Sequence, residues 1–317
     1  IFNRLDSRFQ SINIVDESVK YIPAISLITS ERLDLSIKLR FIDSYLKDKA
    51  DHRSKFLYKE SMRIISNNKY IEPGDSNKSS FDDYLNVFFE LAKSIEKNGF
   101  DVTTSCIPLS ENGIPLDGAH RIAICAALGL DIPVVQTTEP DFKYDEKFFK
   151  SRMVSDELLD EFFLTYLNLT KEEVAVVIEW PLNNYLSNDI KHLYEGNLIY
   201  TKSINLNYNG VKNLMLMNYW GESWLRGDRF NNVGIHNKAK ECHHSGKTNI
   251  FWVKNVSLNQ RIDIKSQIRN KIGNTKHNIH SSDSYFEAVN VSRSLLHTPS
   301  LVLLNQLSPE VCSLSLS

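Results

Sequence analysis

The chain has 317 residues, long for a single hydrophobic core, so its length predicts two domains. At 42% apolar and 24% charged residues, the composition is that of an ordinary globular protein and excludes a fibrous or disordered chain. With 37 basic against 39 acidic residues the net charge is −2, which argues against a broad electrostatic grip on nucleic acid.

No apolar run approaches the roughly 18–20 residues of a membrane span. The segment "IFNRLDSRFQ" has no basic stretch leading into an apolar one, so nothing there reads as a secretion signal. Cys106, Cys125, Cys242 and Cys312 show no paired spacing, and the expectation is reduced thiols in a cytoplasmic protein. The final "SPEVCSLSLS" reads as a loose tail.

In chain order, "ERLDLSIKLRFIDSYLKDK" (31–49) sets Leu35, Leu39, Ile42 and Leu46 at helical spacing and predicts an amphipathic helix. A second helix follows over roughly 54–67, then "YIEPGDSNKSS", a Pro-Gly turn and polar loop. Ser80 with Asp83 marks a helix start, Leu85, Phe88, Phe89, Ala92 and Ile95 its core face, and Asn98-Gly99 its stop. In "DVTTSCIPLSENGIPLD" two short extended runs flank Glu111-Asn112-Gly113, a hairpin signal. "GAHRIAICAALGL" is a buried helix ended by Gly129, and "DIPVVQ" a strand. Residues 140–170 are charged and helical, and the domain boundary is expected there, near residue 150.

The second half reads as mixed α and β. "EVAVVIEWP", "NLIYTKSINLN", "NLMLMNYW" and "TNIFWVKNVSL" are expected strands, and "RIDIKSQIRNKIG" and "DSYFEAVNVSRSLL" expected helices.

The densest polar cluster is Asp117-Gly118-Ala119-His120-Arg121, at the first turn of the buried helix. A helix N-terminus binds anions through its unpaired N–H groups, and Gly118 lets backbone approach a ligand closely. His120 and Arg121 add donors, and an arginine fork suits phosphate oxygens. Asp117 can cap the helix, hold a divalent cation or orient a hydroxyl. A cap and a solvated first turn explain each residue singly; a bound phosphate explains the cluster with one cause.

With these residues in place, "FFELAKSIEKNGFDVTTSCIPLSENGIPLDGAHRIAICAALGLDIPVV" (88–135) resembles the ParB/sulfiredoxin-like nucleotide-binding superfamily. The shared pattern is a helix, a hairpin, a DG-x-HR turn, a helix and an "IPV" strand, with a looser likeness over residues 20–140. Members include chromosome-partition CTPases, sulfiredoxins and free serine kinases. The resemblance implies that Gly118, Ala119, His120 and Arg121 form the nucleotide-binding turn and that Asp117 lies beside the transferred phosphoryl group. Ala119 stands where sulfiredoxins carry their catalytic cysteine, and no basic helical module follows as in the partition proteins. The small-molecule kinase branch fits best. It implies ATP with Mg²⁺. A kinase also needs a base and an acidic Mg²⁺ ligand, for which Asp117, His120 and, on the Pro-Gly loop, Glu72 or Asp75 are candidates. A solvated turn explains Glu72 and Asp75 equally well.

Three other clusters carry candidate chemistry. In "GNTKHNIHSSDSYFEA" (273–288), Lys276, His277, His280, Asp283 and Glu287 could hold a metal or a phosphate, while Ser284 and Glu287 are spaced as a capping box. That stretch is similar to a KH-x-x-H-x-x-D…E stretch in proteins of bacterial surface-polysaccharide clusters. "GIHNKAKECHHSGK" offers His236, Cys242, His243 and His244 without a structural zinc spacing, and reads as a polar loop. "NYWGESWLRGDRF" sets Glu222, Arg226, Asp228 and Arg229 among Tyr219, Trp220 and Trp224, which suits a sugar or nucleotide face or an interface corner.

The expectation is an α+β chain, with a ParB/sulfiredoxin-like nucleotide-binding domain over 1–150 and a mixed α/β, acceptor-binding domain over 151–317. Its expected function is ATP-dependent phosphoryl transfer to a small hydroxylated acceptor, a sugar or amino acid, in surface-polysaccharide biosynthesis. The alternatives are a nucleotide sensor or scaffold without turnover, and a glycan-modifying transferase working from the C-terminal half.

Overall fold

The computed structural model describes residues 5, 7–9, 12–15, 19–49, 51–70, 79–103, 105–181, 186–219, 222–226, 233–271 and 278–307. The architecture is α+β, and the chain packs as two compact units, Ile1–Lys171 and Glu172–Ser317.

In the first unit the order is β1 (Lys20–Pro23), α1 (Leu33–Leu46), α2 (His52–Ile65), α3 (Phe81–Asn98), β2 (Ile107–Leu109), α4 (Ala119–Ala127), β3 (Asp131–Gln136), α5 (Glu146–Ser151) and α6 (Asp156–Leu169). A small sheet takes the order β1-β3-β2, with β2 parallel and β1 antiparallel to β3. Parallel neighbours require a crossover, and α4 is that crossover. The expected hairpin has one regular arm, β2. Its return is a single bridge, Leu109 to Pro115, closed by the Ser110 N–H to Ile114 carbonyl bond at 2.8 Å. Gly113 supplies the positive φ of 82° that this tight return needs.

α1 differs from its expected amphipathic form. Leu33 through Leu39, with Phe41 and Ile42, are all buried, including Asp34 and Lys38. The reason is position: α1 packs against α2, α4 and α6, which leaves it no broad solvent face. The same packing accounts for the boundary. α6 buries Leu159, Phe162, Phe163 and Tyr166 and rests on α1, so the first unit extends to Lys171 instead of ending near residue 150.

The second unit holds β4 (Val174–Glu179), α7 (Leu186–Leu193), β5 (Leu198–Ile204), α8 (Tyr208–Asn218), α9 (Ser223–Arg226), α10 (Val233–Cys242), β6 (Thr248–Lys254), α11 (Leu258–Lys271), β7 (Ile279–Ser281), α12 (Tyr285–Leu295) and α13 (Thr298–Gln306). Its sheet, β5-β6-β4-β7, is antiparallel throughout. Ala175, Val177, Phe251 and Val253 pack one face onto Ile190 of α7 and Ile268 of α11. On the other face, the Trp252 indole N–H donates to Ser292 Oγ of α12 at 2.7 Å.

Two local expectations are corrected in this unit. "NLMLMNYW" lies mostly in the helix α8, not a strand. Asn207 caps it by accepting from the Gly210 N–H at 2.9 Å, and its Leu and Met residues are strong helix formers without β-branching. Much of "GIHNKAKECHHSGK" is α10, not a loop, because Ile235, Ala239 and Cys242 recur at helical spacing and are buried.

At α3 the expected start is present as a capping box. The Asp83 N–H donates to Ser80 Oγ at 3.2 Å, and the Ser80 N–H donates to the Asp83 carboxylate at 2.9 Å. Ser80→Ala should therefore lower stability by about 1 kcal/mol. Urea unfolding should show this as a lower midpoint at an unchanged slope.

Candidate functional site

The turn between the β2 hairpin and α4 is set by Gly118, whose φ of 77° and ψ of 23° place it in the left-handed region. A Cβ here would collide with Ile107 Cδ1 of β2 and sit 3.2 Å from an Arg121 guanidinium nitrogen. Only glycine fits on both counts. As the N-cap residue it makes no side-chain cap. The start of a helix presents backbone N–H groups without intrahelical partners, a feature suited to an anion.

Asp117 does not cap the helix. One carboxylate oxygen accepts from Arg121 at 2.9 Å and the other from Arg8 at 3.2 Å. Asp117 thereby fixes the Arg121 fork one turn into α4, beside the Gly118 backbone. His120 faces the other way, into an aromatic layer. Its Nε2 is 2.8 Å from the Tyr58 hydroxyl, and its ring centroid is 4.5 Å from that of Phe88. It ties the turn to α2 and α3, and the nitrogen expected to meet phosphate is taken by Tyr58. Cys125, one turn beyond Arg121, is buried, and burial pushes its thiol up to about 12 although Arg121 opposes this. That thiol stays protonated at neutral pH.

Beneath the turn lies a charged group that the sequence reading did not single out. Arg32 Nε donates to Asp34 at 2.8 Å and its Nη2 to the second oxygen at 3.0 Å, while Lys38 Nζ donates to Asp34 at 2.9 Å. The other Arg32 fork nitrogen donates to the Pro115 carbonyl, two residues before Asp117. Its guanidinium also stacks 5.1 Å from the Tyr144 ring centroid. Burial alone would push the Asp34 carboxyl up, but Arg32 and Lys38 together hold it well below the usual carboxylate range. Burial would lower Arg32, yet Asp34, with smaller help from Tyr144 and Asp117, raises it. Among the described residues, Arg8 and Arg121 both pair with Asp117, and Arg32 and Lys38 both pair with Asp34.

Of the other expected residues, Glu72, Asp75, Lys276, His277, Trp220, Asp228 and Arg229 lie outside the described residues. The remaining members of the second polar cluster do come together. His280, 9% exposed on β7, has Nδ1 2.9 Å from the Tyr219 hydroxyl and Nε2 3.1 Å from Glu287 Oε1. Glu287 also accepts from the Asp283 N–H at 2.7 Å, and the Ser284–Glu287 cap forms at 3.1 Å. An ionised Glu287 fixes the proton on Nε2, leaving Nδ1 to accept from Tyr219. Burial pushes the Tyr219 phenol up, and nearby Cys242 and Glu287 push it further, so the hydroxyl remains a donor. Among the described residues no group of three or more His, Cys, Asp or Glu side chains is placed to hold a metal ion.

The buried carboxylate makes a prediction. Asp34→Asn leaves Arg32 and Lys38 buried without their counter-ion, and should cost about 3–5 kcal/mol at neutral pH. The folded carboxyl titrates below its unfolded value near 4, so the native protein keeps this stabilisation above about pH 4 and loses it as pH falls further. The variant should show a flatter acid limb when unfolding is measured across pH 7 to 3.

No family model, curated protein or solved structure matches the chain.

Proposed function

We propose that residues 117–121 bind the phosphates of ATP and that the protein transfers a phosphoryl group to a small hydroxylated acceptor, a sugar or an amino acid. One observation carries this reading. A left-handed glycine with no space for a side chain opens an uncapped helix, with the Arg121 fork fixed at its side. Backbone donors at a helix start and an oriented guanidinium suit the oxygens of a polyphosphate. The resemblance of residues 88–135 to the ParB/sulfiredoxin-like superfamily points the same way. The polysaccharide context rests on sequence likeness alone.

In this reading the first-turn N–H groups and Arg121 bind phosphate oxygens. Asp117 orients Arg121 in the free protein. When phosphate oxygens attract Arg121 and Arg8, an Asp117 oxygen becomes available to accept the proton of the acceptor hydroxyl. His120 is a positioning residue that holds the turn through Tyr58. Magnesium would arrive on the phosphates, a mode that needs one or two protein carboxylates and no closed cage, and Asp117 is the carboxylate at the turn.

Calorimetric titration with Mg²⁺–ATP tests the site. Arg121→Ala should weaken binding on the order of 100-fold through loss of about 3 kcal/mol of charged hydrogen bonding, and Arg121→Lys should weaken it less. Equal affinity in a folded Arg121→Ala protein would overturn the assignment. Release of ADP only when a sugar or amino acid is supplied would establish transfer. Binding without consumption across such a panel would instead make the turn a nucleotide sensor.

A further inference from the structure

The last turn of α8 carries an arrangement that the nucleotide reading does not use. The Asn218 side-chain amide is buried, and neither its oxygen nor its nitrogen has a hydrogen-bond partner among the described residues. Leaving both ends of a buried amide unpaired is costly, and folded proteins rarely tolerate it unless water or a bound molecule completes the bonds. Asn218 is followed directly by Tyr219, whose hydroxyl proton is committed to His280, which leaves its oxygen lone pairs to accept from a ligand. The Tyr219 ring meets the Trp224 ring edge-on at 5.1 Å, and Trp224 is 40% exposed, so its indole is partly open to solvent. Lys238 Nζ lies 5.1 Å from the Tyr219 ring centroid and 5.7 Å from that of Trp224.

Each component matches one feature of a sugar ring. A planar amide offering one donor and one acceptor pairs with two neighbouring hydroxyls. A phenolic oxygen with its proton engaged accepts from a third. An exposed indole covers the apolar C–H face of the ring. An inorganic phosphate would make no use of the amide oxygen or the indole face.

We propose that the end of α8, with Asn218, Tyr219 and Trp224, is a carbohydrate-binding site for a single hexose unit. His280 and Glu287 are positioning residues, which fix the direction of the Tyr219 hydroxyl and so the acceptor it presents. The site stands whether or not the turn at residues 117–121 binds a nucleotide.

The test uses the full chain, titrated by NMR with D-glucose, D-galactose, N-acetyl-D-glucosamine and D-glucuronate. At least one should bind saturably. Trp224→Ala and Asn218→Leu should each weaken it at least about tenfold, and Trp224→Phe should restore most of the loss by keeping an aromatic face. Tyr219→Phe should weaken binding without unfolding the protein, since only the hydroxyl is removed. Thermal melts of every variant separate loss of binding from loss of fold. The proposal is overturned if no sugar in the panel saturates, or if folded Trp224→Ala and Asn218→Leu proteins bind as tightly as the native chain.

Discussion

Asp34 sits wholly out of water between Arg32 and Lys38, and the candidate site rests on that contact. A lone buried carboxylate is too costly to ionise, and two unpaired buried cations are no better; together, with their hydrogen bonds made, they persist. Because Arg32 also holds the Pro115 carbonyl, the ion group fixes the chain three residues before the turn that Gly118 makes. From the other side, His120 anchors the same turn through Tyr58 and Phe88. The turn is thus clamped by polar bonds below and by an aromatic layer beside it. Such a clamp holds the first turn of α4 in one arrangement before any ligand arrives.

The second unit solves a different problem. An antiparallel sheet with helices on both faces buries nearly all of β4 and β6, and its edge strand β7 is only Ile279–Ser281. At that edge, His280 reaches between Tyr219 at the end of α8 and Glu287 in the first turn of α12. Both ring nitrogens are engaged, so this histidine orients its neighbours and does not meet a ligand itself. Nearby in the chain, the Asn218 amide is buried without a hydrogen-bond partner among the described residues, and the Trp224 ring is 40% exposed.

Local signals in the sequence carried most of the elements. Ser80 with Asp83, Gly99, Gly113 and Gly129 mark starts, turns and stops by conformations that those residues favour, and the structure uses each of them so. Hydrophobic period located α1 and α3. It failed for α8, where a short apolar Leu-Met run reads as strand or helix alike until Asn207 is recognised as its cap. The charged group was hidden for a physical reason. Asp34 and Lys38 stand four residues apart, the spacing of an ordinary surface pair, and only the packing of α2, α4 and α6 around α1 buries them. The cluster at 117–121 was visible, but its internal division of labour was not. Tyr58 lies 62 residues from His120, and Tyr219 lies 61 from His280, so no local spacing encodes either bond.

The central claim is that backbone donors at the start of α4 meet phosphate. Amide-resolved NMR during titration with Mg²⁺–ATP tests it most directly. The account predicts that the Ala119, His120 and Arg121 backbone N–H resonances move first and furthest, and saturate together. Saturable shifts confined to other residues, with those three amides unmoved, would contradict it.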